Sequence, residues 1–422
     1  MFQSMEECTQ FIFGLKASMY KGEPLESAKK ILNALGNPEC NTKFIHFAGS
    51  NGKGSTLNAT REILMAHGLT VGAFTSPHLE RANERVTINK TEITDEQFLR
   101  YANNVALIVQ DQLDGKFPSF FEMVTIIALQ HFAHEKVDIA LMETGIGGRL
   151  DSTNVITPEV SVITTISLEH TDMLGNTYAE IAYEKAGIIK EGKPAVIGVK
   201  NLEALQVIKE VAHEKDSELY ILSEEIFVET LVNGQFNYND GAEIKNLELA
   251  MEGAHQMDNA ALAMKAAALI LGELDEKKLR LALKQAKWQG RFERFGEQII
   301  LDGAHNSEGT AALLETLAQV EPNKSYTFVY AALQDKDHGL SIAMMDKAAK
   351  KMIFTEIDLP RAAKAEQLFE QSNHKEKRAI RNWQSFILEK YETQKEDELL
   401  IITGSLYFIG EVRTFLQKRG VK

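Results

Sequence analysis

The sequence predicts an α/β protein in which a P-loop-containing, mostly parallel sheet domain is followed by a smaller Rossmann-like α/β domain. Three observations support this fold class. Short apolar runs alternate with helical patterns along most of the chain, which is typical of parallel sheets covered by helices on both faces. One such run, 44–48, leads into a glycine-rich loop and then a helix. The length of 422 residues favours two domains over one.

The loop Gly49–Ser55 reads Gly-Ser-Asn-Gly-Lys-Gly-Ser and is typical of a phosphate-binding turn. Its glycines let backbone N–H groups face an anion, the following helix adds free donors, and Lys53 can reach outer phosphates. The common nucleotide loop has glycine six residues before the lysine and a hydroxyl directly after it. Here Phe47 and Gly54 hold those positions. A turn without ligand is the alternative, but it gives Lys53 no packing role.

The other elements before the domain boundary follow from apolar spacing, turn residues and capping sequences. In order, they are helices within 5–35 with a break at 21–24, strand 70–75, an extended segment at 84–89, a helix opened by Thr94–Gln97, helix 120–135, strands 137–142, 160–166 and 194–197, a β-rich stretch at 218–250, and helix 258–271. Ligands collect at the carboxyl ends of strands in such a sheet.

A fresh strand at 298–301 restarts the alternation. The elements after it are helix 307–319, strand 326–331, helix 338–350, strand 351–355, helix 362–371, and a final strand, 399–402, with its helix. We therefore place the boundary near Arg294, which gives domains of residues 1–294 and 295–422.

Composition restricts the class of partner. The formal charge of −14, from 46 basic and 60 acidic residues, argues against a nucleic-acid or anionic-membrane binder. The two cysteines show no metal-type spacing and indicate a reducing compartment. No signal peptide and no apolar run of about 18 residues is visible. We expect a cytoplasmic monomer whose partners are small molecules.

Three polar residues follow three strand ends of the first domain: Ser76, Glu143 and His170. Mg²⁺ prefers oxygen ligands, and one or two carboxylates usually suffice. Each residue has a simpler interpretation, because Glu143 could cap a loop and His170 could be a surface or core residue. Their shared location at the edge of one sheet favours a metal site. Lys185 alone would be read as a solvated helix lysine, and Asp302–Asn306 as a polar turn that could face a ligand.

Seven stretches together resemble the folylpolyglutamate synthase/dihydrofolate synthase family, which is related to the Mur ligases. They occur in the order typical of the family and are Ala48–Ser55, Thr75–Leu79, Asn83–Arg85, Glu143–Asn154, Lys185–Lys190, Leu301–Asn306 and Ile402–Ser405. The family loop also has glycine after the lysine, which accounts for Gly54. One departure is Glu169, where many relatives have aspartate before the histidine.

The resemblance implies roles for individual residues. The implied ATP contacts are Asn51, Gly52, Lys53, Gly54, Ser55, Asn259, Arg291 and Asp302. The implied Mg²⁺ ligands are Ser76, Glu143, His170 and a carbamoylated Lys185. The implied catalytic set is Lys53, Glu143, His170 and Lys185. The residues at implied substrate-binding positions are Phe121, Glu122, Asp151 and His305.

The activity that the resemblance implies is ATP-dependent amide formation between a folate carboxylate and L-glutamate, through an acyl phosphate. The first domain would bind ATP and the second would contribute to the ATP and glutamate sites. An alternative is a bifunctional enzyme that also makes dihydrofolate from dihydropteroate. The resemblance leaves a monovalent-cation requirement open.

Three other classes of protein fit the sequence less well. A Mur ligase would carry a UDP-binding domain before the loop, and only 48 residues precede Gly49. A GTPase should show Asn-Lys-x-Asp, but the pairs at Asn89 and Asn323 lack the acid. A non-catalytic binder would not need Glu143, His170 and Lys185 together with an intact loop.

Overall fold

The computed structural model describes the whole chain except residues 16–18, 20, 21, 233, 335–337, 394 and 422. The chain forms two compact units, residues 1–250 with 257–286, and residues 251–256 with 287–422. The predicted division after Arg294 falls inside the second unit, because Glu293–Phe295 forms a strand that pairs with Ile299–Leu301. The predicted break at 21–24 includes Lys21, which lies outside the described residues.

The helices and strands have the following bounds. The helices are α1 (Met5–Gly14), α2 (Glu26–Ala34), α3 (Lys53–Ala66), α4 (Asp95–Gln112), α5 (Phe120–Glu135), α6 (Thr171–Leu174), α7 (Tyr178–Ala186), α8 (Leu202–Glu214), α9 (Ala254–Leu271), α10 (Glu276–Gln285), α11 (Ser307–Val320), α12 (Gly339–Ala348), α13 (Ala365–Gln371), α14 (Trp383–Thr393) and α15 (Leu406–Lys418). The strands are β1 (Phe44–Ala48), β2 (Val71–Phe74), β3 (Val86–Ile88), β4 (Thr91–Glu92), β5 (Ile139–Glu143), β6 (Val160–Ile163), β7 (Ala195–Ile197), β8 (Leu219–Ile221), β9 (Phe227–Thr230), β10 (Phe236–Asn239), β11 (Glu243–Leu247), β12 (Glu293–Phe295), β13 (Ile299–Leu301), β14 (Ser325–Tyr330), β15 (Ala349–Phe354), β16 (Lys377–Ala379) and β17 (Glu398–Thr403).

The first unit is built on an eight-stranded sheet with the order β4-β3-β2-β5-β1-β6-β7-β8. The strands from β2 to β8 in this order pair in parallel, and β3 and β4 form an antiparallel edge. This confirms the predicted, mostly parallel sheet. Strand β1 lies between β5 and β6, so the loop after it emerges beside the carboxyl ends of both neighbours.

Alternation along β1 explains how helices cover both faces of this sheet. Phe44 packs into a core formed with α4 and α5, whereas Ile45 and Phe47 pack into a second core with α3, α9 and α10. Successive strand residues point to opposite faces, so a strand buried on both sides is apolar almost throughout. His46 is the polar exception within β1, and it is completely buried.

The predicted β-rich stretch is also confirmed. Strands β9, β10 and β11 form a separate antiparallel sheet, whereas β8 joins the edge of the main sheet. Phe236, Tyr238 and Leu247 of this small sheet pack into the same core as α9 and α10.

The second unit has a six-stranded sheet with the order β12-β13-β17-β14-β15-β16. All neighbours are parallel except β12 and β13. Strands β13, β14, β15 and β17 were predicted from the sequence, whereas β12, β16 and α14 of this unit and α10 of the first unit were not. Within the described part of the chain, no helix combines the length and apolar character needed to cross a membrane.

Candidate active site

The phosphate loop, residues 49–55, joins the end of β1 to α3. Gly52 precedes the helix with a left-handed φ of 89°, a conformation that favours glycine. A Cβ at Gly52 would lie 2.4 Å from Oδ1 of Asn259. The hydroxyl of Thr56 also lies 3.3 Å from that oxygen. Asn259 of α9, predicted as an ATP contact, therefore packs directly against the loop.

The segment after β6 anchors this loop. The Ser50 N–H donates to the Thr165 carbonyl at 2.8 Å, and the Asn51 N–H donates to the Thr165 hydroxyl at 2.9 Å. The Ser167 N–H donates to the Ser50 hydroxyl at 2.9 Å. The backbone donors of Ser50 and Asn51 thus hold the loop in place. The N–H groups of Lys53–Ser55, in the first turn of α3, have no partner within the helix and can bind an anion.

Lys53 folds back over its own loop. Its Nζ donates to the Gly49 carbonyl at 2.7 Å and lies 3.4 Å from the Ser50 carbonyl. The ammonium group is therefore held above the loop by neutral acceptors and stays available as a positive charge for phosphate.

Glu143 and Ser76 meet at adjacent strand ends. Glu143 is the last residue of β5, lies opposite Phe47 of β1, and is 4% exposed. Ser76 follows β2, and its N–H donates to Oε2 of Glu143 at 2.9 Å. The structure brings this predicted metal ligand pair together beside the phosphate loop.

Lys185 and Glu169 form a buried ion pair. Nζ of Lys185 lies 3.2 Å from Oε1 of Glu169, and the two side chains are 3% and 9% exposed. Burial alone would raise the pKa of Glu169, but Lys185, Lys53 and the Ser50 hydroxyl hold it at about 2. Burial lowers the pKa of Lys185 to about 8, although Glu169 opposes the shift. A basic residue next to the phosphate loop is thus within reach of its neutral form near physiological pH.

His170 follows Glu169 directly and has a left-handed φ of 50° at the start of α6. It comes after β6, which neighbours β1. Within the described residues, no three or more His, Cys, Asp and Glu side chains converge as a metal-binding group. The Ser76 hydroxyl and the Glu143 carboxylate nevertheless offer the oxygen donors that Mg²⁺ prefers, and this ion usually completes its shell with phosphate oxygens and water.

The three predicted substrate residues of the first unit lie near these strand ends. Phe121 of α5 packs on Phe74, with ring centroids 5.5 Å apart. Glu122 is 9% exposed, and its carboxylate accepts hydrogen bonds from the Ser27 hydroxyl and the Ser119 N–H, both at 2.8 Å. Glu122 therefore caps α5 and ties it to α2.

Asp151 is likewise satisfied within the chain. One carboxylate oxygen accepts the Gly145 and Ile146 N–H groups, and the other accepts the N–H and hydroxyl of Thr153. Burial raises the pKa of Asp151, and these four donors oppose the shift. The carboxylate holds the turn after Glu143.

The remaining predicted residues belong to the second unit. Asp302 accepts the N–H groups of Phe292 and Ala304 at 2.8 and 2.9 Å, respectively. Burial raises its pKa, and the nearby guanidinium of Arg291 opposes the shift. His305 has Nδ1 2.9 Å from the Gly303 carbonyl. Arg291, Asp302 and His305 thus lie on or beside the turn after β13.

Three residues of this region were not predicted as site residues. Glu169 was noted only as a departure from the family, and its side chain proves to be the partner of Lys185. His46 and Thr153 lie 2.7 Å apart behind the turn after β5. A polar residue inside the apolar run of β1 was the available signal for His46.

Two family descriptions match most of the chain. Residues 47–267 match the Mur ligase middle domain. Residues 290–406 match the Mur ligase glutamate ligase domain.

Individual relatives match along nearly their whole length. The Bacillus subtilis dihydrofolate synthase/folylpolyglutamate synthase is 37% identical over 99% of this chain and 100% of its own. The structure of Escherichia coli FolC in complex with DHPP and ADP is 27% identical, with a TM-score of 0.91 over 99% of both chains. The bifunctional Yersinia pestis enzyme complexed with AMPPNP and Mn ion is 29% identical, with a TM-score of 0.89 over 98% of both chains.

Proposed function

The chain belongs to the dihydrofolate synthase/folylpolyglutamate synthase family of Mur ligase-type proteins, and we propose how its residues join L-glutamate to a folate. It is an ATP-dependent ligase. The γ-phosphoryl group of ATP passes to a folate carboxylate, the glutamate amine attacks the resulting acyl phosphate, and phosphate leaves.

One observation carries the residue assignment. Glu143, held by the Ser76 N–H, ends β5 on one side of β1. On the other side of β1, Glu169 follows β6 and forms the buried ion pair with Lys185. Carboxylate, hydroxyl, imidazole and amine groups thus flank one loop. A sheet that bound a nucleotide without chemistry would not require a buried lysine there.

The phosphoryl transfer step depends mainly on positioning and on neutralising charge. We assign the N–H groups of Lys53, Gly54 and Ser55 and the ammonium of Lys53 to the phosphates. Asn51, Gly52 and Asn259 hold the loop in its binding shape. Arg291 and Asp302 of the second unit are proposed as further ATP contacts.

The enzyme uses a divalent cation, and we propose that Ser76, Glu143 and His170 hold it. A bound Mg²⁺ would neutralise phosphate charge and orient the phosphoryl group. The Ser76 N–H contributes by fixing one Glu143 oxygen and thereby orienting the carboxylate.

Lys185 is proposed to carry a carbamate. Its neutral amine adds to carbon dioxide, a new N–C bond forms, and the amine proton leaves to solvent. A positive charge is thereby replaced by a negative one with two oxygen atoms. Burial of Lys185 supports this proposal, because it lowers the pKa of the amine and so favours the neutral form that reacts with carbon dioxide.

Amide formation requires the acyl phosphate to meet glutamate before water does. We propose that Phe121 contacts the aromatic part of the folate, while Glu122 and Asp151 shape the pocket wall from behind through their internal hydrogen bonds. His305 is proposed to contact substrate from the second unit. Monomeric state, cytoplasmic location and any monovalent-cation requirement stay predictions.

The named bifunctionality of several relatives supports a second activity, the synthesis of dihydrofolate from dihydropteroate. The test is a steady-state assay with ATP, Mg²⁺ and L-glutamate, with either tetrahydrofolate or dihydropteroate as acceptor. Mass spectrometry should show each acceptor gaining one glutamyl residue. Reaction of tetrahydrofolate alone would limit the enzyme to folylpolyglutamate synthesis, and reaction of neither would refute the ligase assignment.

A further inference from the structure

A buried histidine lies behind the site. His46 of β1 has no exposed surface, and its Nε2 lies 2.7 Å from the Thr153 hydroxyl oxygen. Its Nδ1 has no hydrogen-bond partner among the described residues. A buried polar ring on an otherwise apolar strand costs free energy unless it makes a specific interaction, so its single hydrogen bond calls for an explanation.

The hydrogen-bond inventory fixes the direction of this contact. The Thr153 hydroxyl also lies 2.6 Å from Oδ1 of Asp151. An ionised carboxylate only accepts, so the hydroxyl donates its one proton to Asp151 and accepts from His46. His46 is then the neutral tautomer with its proton on Nε2, which leaves Nδ1 as a bare acceptor. Burial, helped by Lys190, lowers the pKa of His46 to about 3 and keeps the ring neutral.

Asp151 connects the His46–Thr153 hydrogen bond to the turn after Glu143. Its other oxygen, Oδ2, accepts the Gly145 N–H at 2.9 Å and the Ile146 N–H at 3.0 Å. These are the second and third residues after Glu143. The orientation of Asp151 therefore determines how the chain leaves the strand that ends in Glu143.

The same turn touches two other predicted site elements. A Cβ at Gly145 would lie 2.8 Å from the ring of Phe121. A Cβ at Gly148 would lie 2.9 Å from the carbonyl oxygens of Glu184 and Lys185. The turn therefore packs closely between the Phe121 ring and the end of α7, the helix that carries Lys185.

We propose that His46 is a positioning residue for the ligase reaction. Through Thr153 it orients Asp151, and through Asp151 it fixes the turn 145–148 that positions Glu143. This inference rests on the proposed function and adds His46 and Thr153 to the residues on which the reaction depends.

Four variants test this role. His46→Leu and Thr153→Val each break the chain of hydrogen bonds, whereas His46→Gln keeps a side-chain N–H donor. His131→Leu is the control, because His131 is 3% exposed and its Nδ1 also has no hydrogen-bond partner among the described residues, but it lies toward the end of α5 opposite to Phe121 and Glu122. All variants are compared by circular dichroism and thermal melting.

Two measurements report on positioning. The first is the Mg²⁺ concentration that gives half-maximal ligase activity. The second is the gain in ADP affinity on adding Mg²⁺, measured by calorimetry, which needs no turnover. We expect His46→Leu and Thr153→Val each to raise the half-maximal Mg²⁺ concentration by about tenfold or more, as for other groups that orient metal ligands. Each should also reduce the gain in ADP affinity on adding Mg²⁺ by about tenfold or more. The double variant should lose no more than either single variant.

His46→Gln should retain most of the wild-type Mg²⁺ dependence, and His131→Leu should leave both measurements unchanged. Wild-type metal dependence in both folded His46→Leu and Thr153→Val proteins would overturn the proposal, as would strictly additive losses. Should His46→Leu fail to fold, Thr153→Val alone decides the question. The calorimetric result stands even if the wild-type protein proved unable to ligate glutamate, so the two failures are distinguishable.

Discussion

Nζ of Lys185 lies 3.2 Å from the Glu169 carboxylate, and both side chains are almost completely removed from solvent. Removing either partner of such an ion pair destabilises the protein, because the other charge is then buried without compensation. The pair also lies close enough to Lys53 for the two ammonium groups to influence each other. Lys185 is therefore held in place by the site rather than by solvent.

Lys185→Ala should abolish turnover, because it removes the group that is proposed to carry the carbamate. Short carboxylic acids such as acetate should restore part of the activity by supplying the missing oxygens. Lys193→Ala is the matched control, since Lys193 pairs with Glu159 at the surface, 2.8 Å away. A crystal structure with bicarbonate and nucleotide that showed a bare amine at Lys185 would contradict the carbamate.

Lys53→Ala should lower kcat by about 10³-fold or more, as expected for removing a charge that stabilises the transferring phosphoryl group. The fold should persist, because the hydrogen bonds that Nζ makes among the described residues go to the Gly49 and Ser50 carbonyls of its own loop. Circular dichroism and melting check the fold, and steady-state kinetics check the activity. Lys209→Ala, which removes an exposed pair with Glu224, should leave both unchanged. Retained activity in Lys53→Ala would refute its role.

Much of this site was accessible from the sequence because its residues follow strand ends. Ser76, Glu143 and His170 each come after a clear apolar run, and the topology of a parallel sheet gathers such positions at one edge. Glu169 was not assigned, since its role depends on the length of its side chain and on the position of Lys185 on another element. His46 and Thr153 were missed because their contact joins residues far apart in the chain.

The two strands that were not predicted have a physical explanation. Strands β12 and β16 have three residues each, two of them charged, so they show neither an alternation nor the apolar run that marks the equally short β13. Helix α10, by contrast, carries Leu279 and Leu283 one turn apart on its buried side, preceded by the N-cap Asp275. That pattern was present in the sequence and could have been read.

The buried, neutral His131 should make the protein sensitive to mild acid. Burial lowers its pKa from 6.5 to about 4, outweighing the opposing charge of Glu135. Between these values the unfolded chain binds a proton that the folded protein does not. The free energy of unfolding should therefore fall as pH decreases through this window, by up to about 1.4 kcal/mol per pH unit from this residue.

Urea unfolding of His131→Gln between pH 7 and pH 4 tests this linkage. The variant should show a shallower loss of stability than the wild type across that range. His213→Gln on α8 is the control for the substitution itself, because His213 is exposed and lies on a different helix. An unchanged slope in His131→Gln would contradict the prediction.

Cleavage of ATP should be coupled to the joining of a folate with L-glutamate. The decisive measurement is phosphate release with ATP, Mg²⁺, tetrahydrofolate and L-glutamate, with each component omitted in turn. We expect rapid release only with the complete mixture and near-background release when either the folate or glutamate is left out. Release at the full rate without glutamate would contradict it.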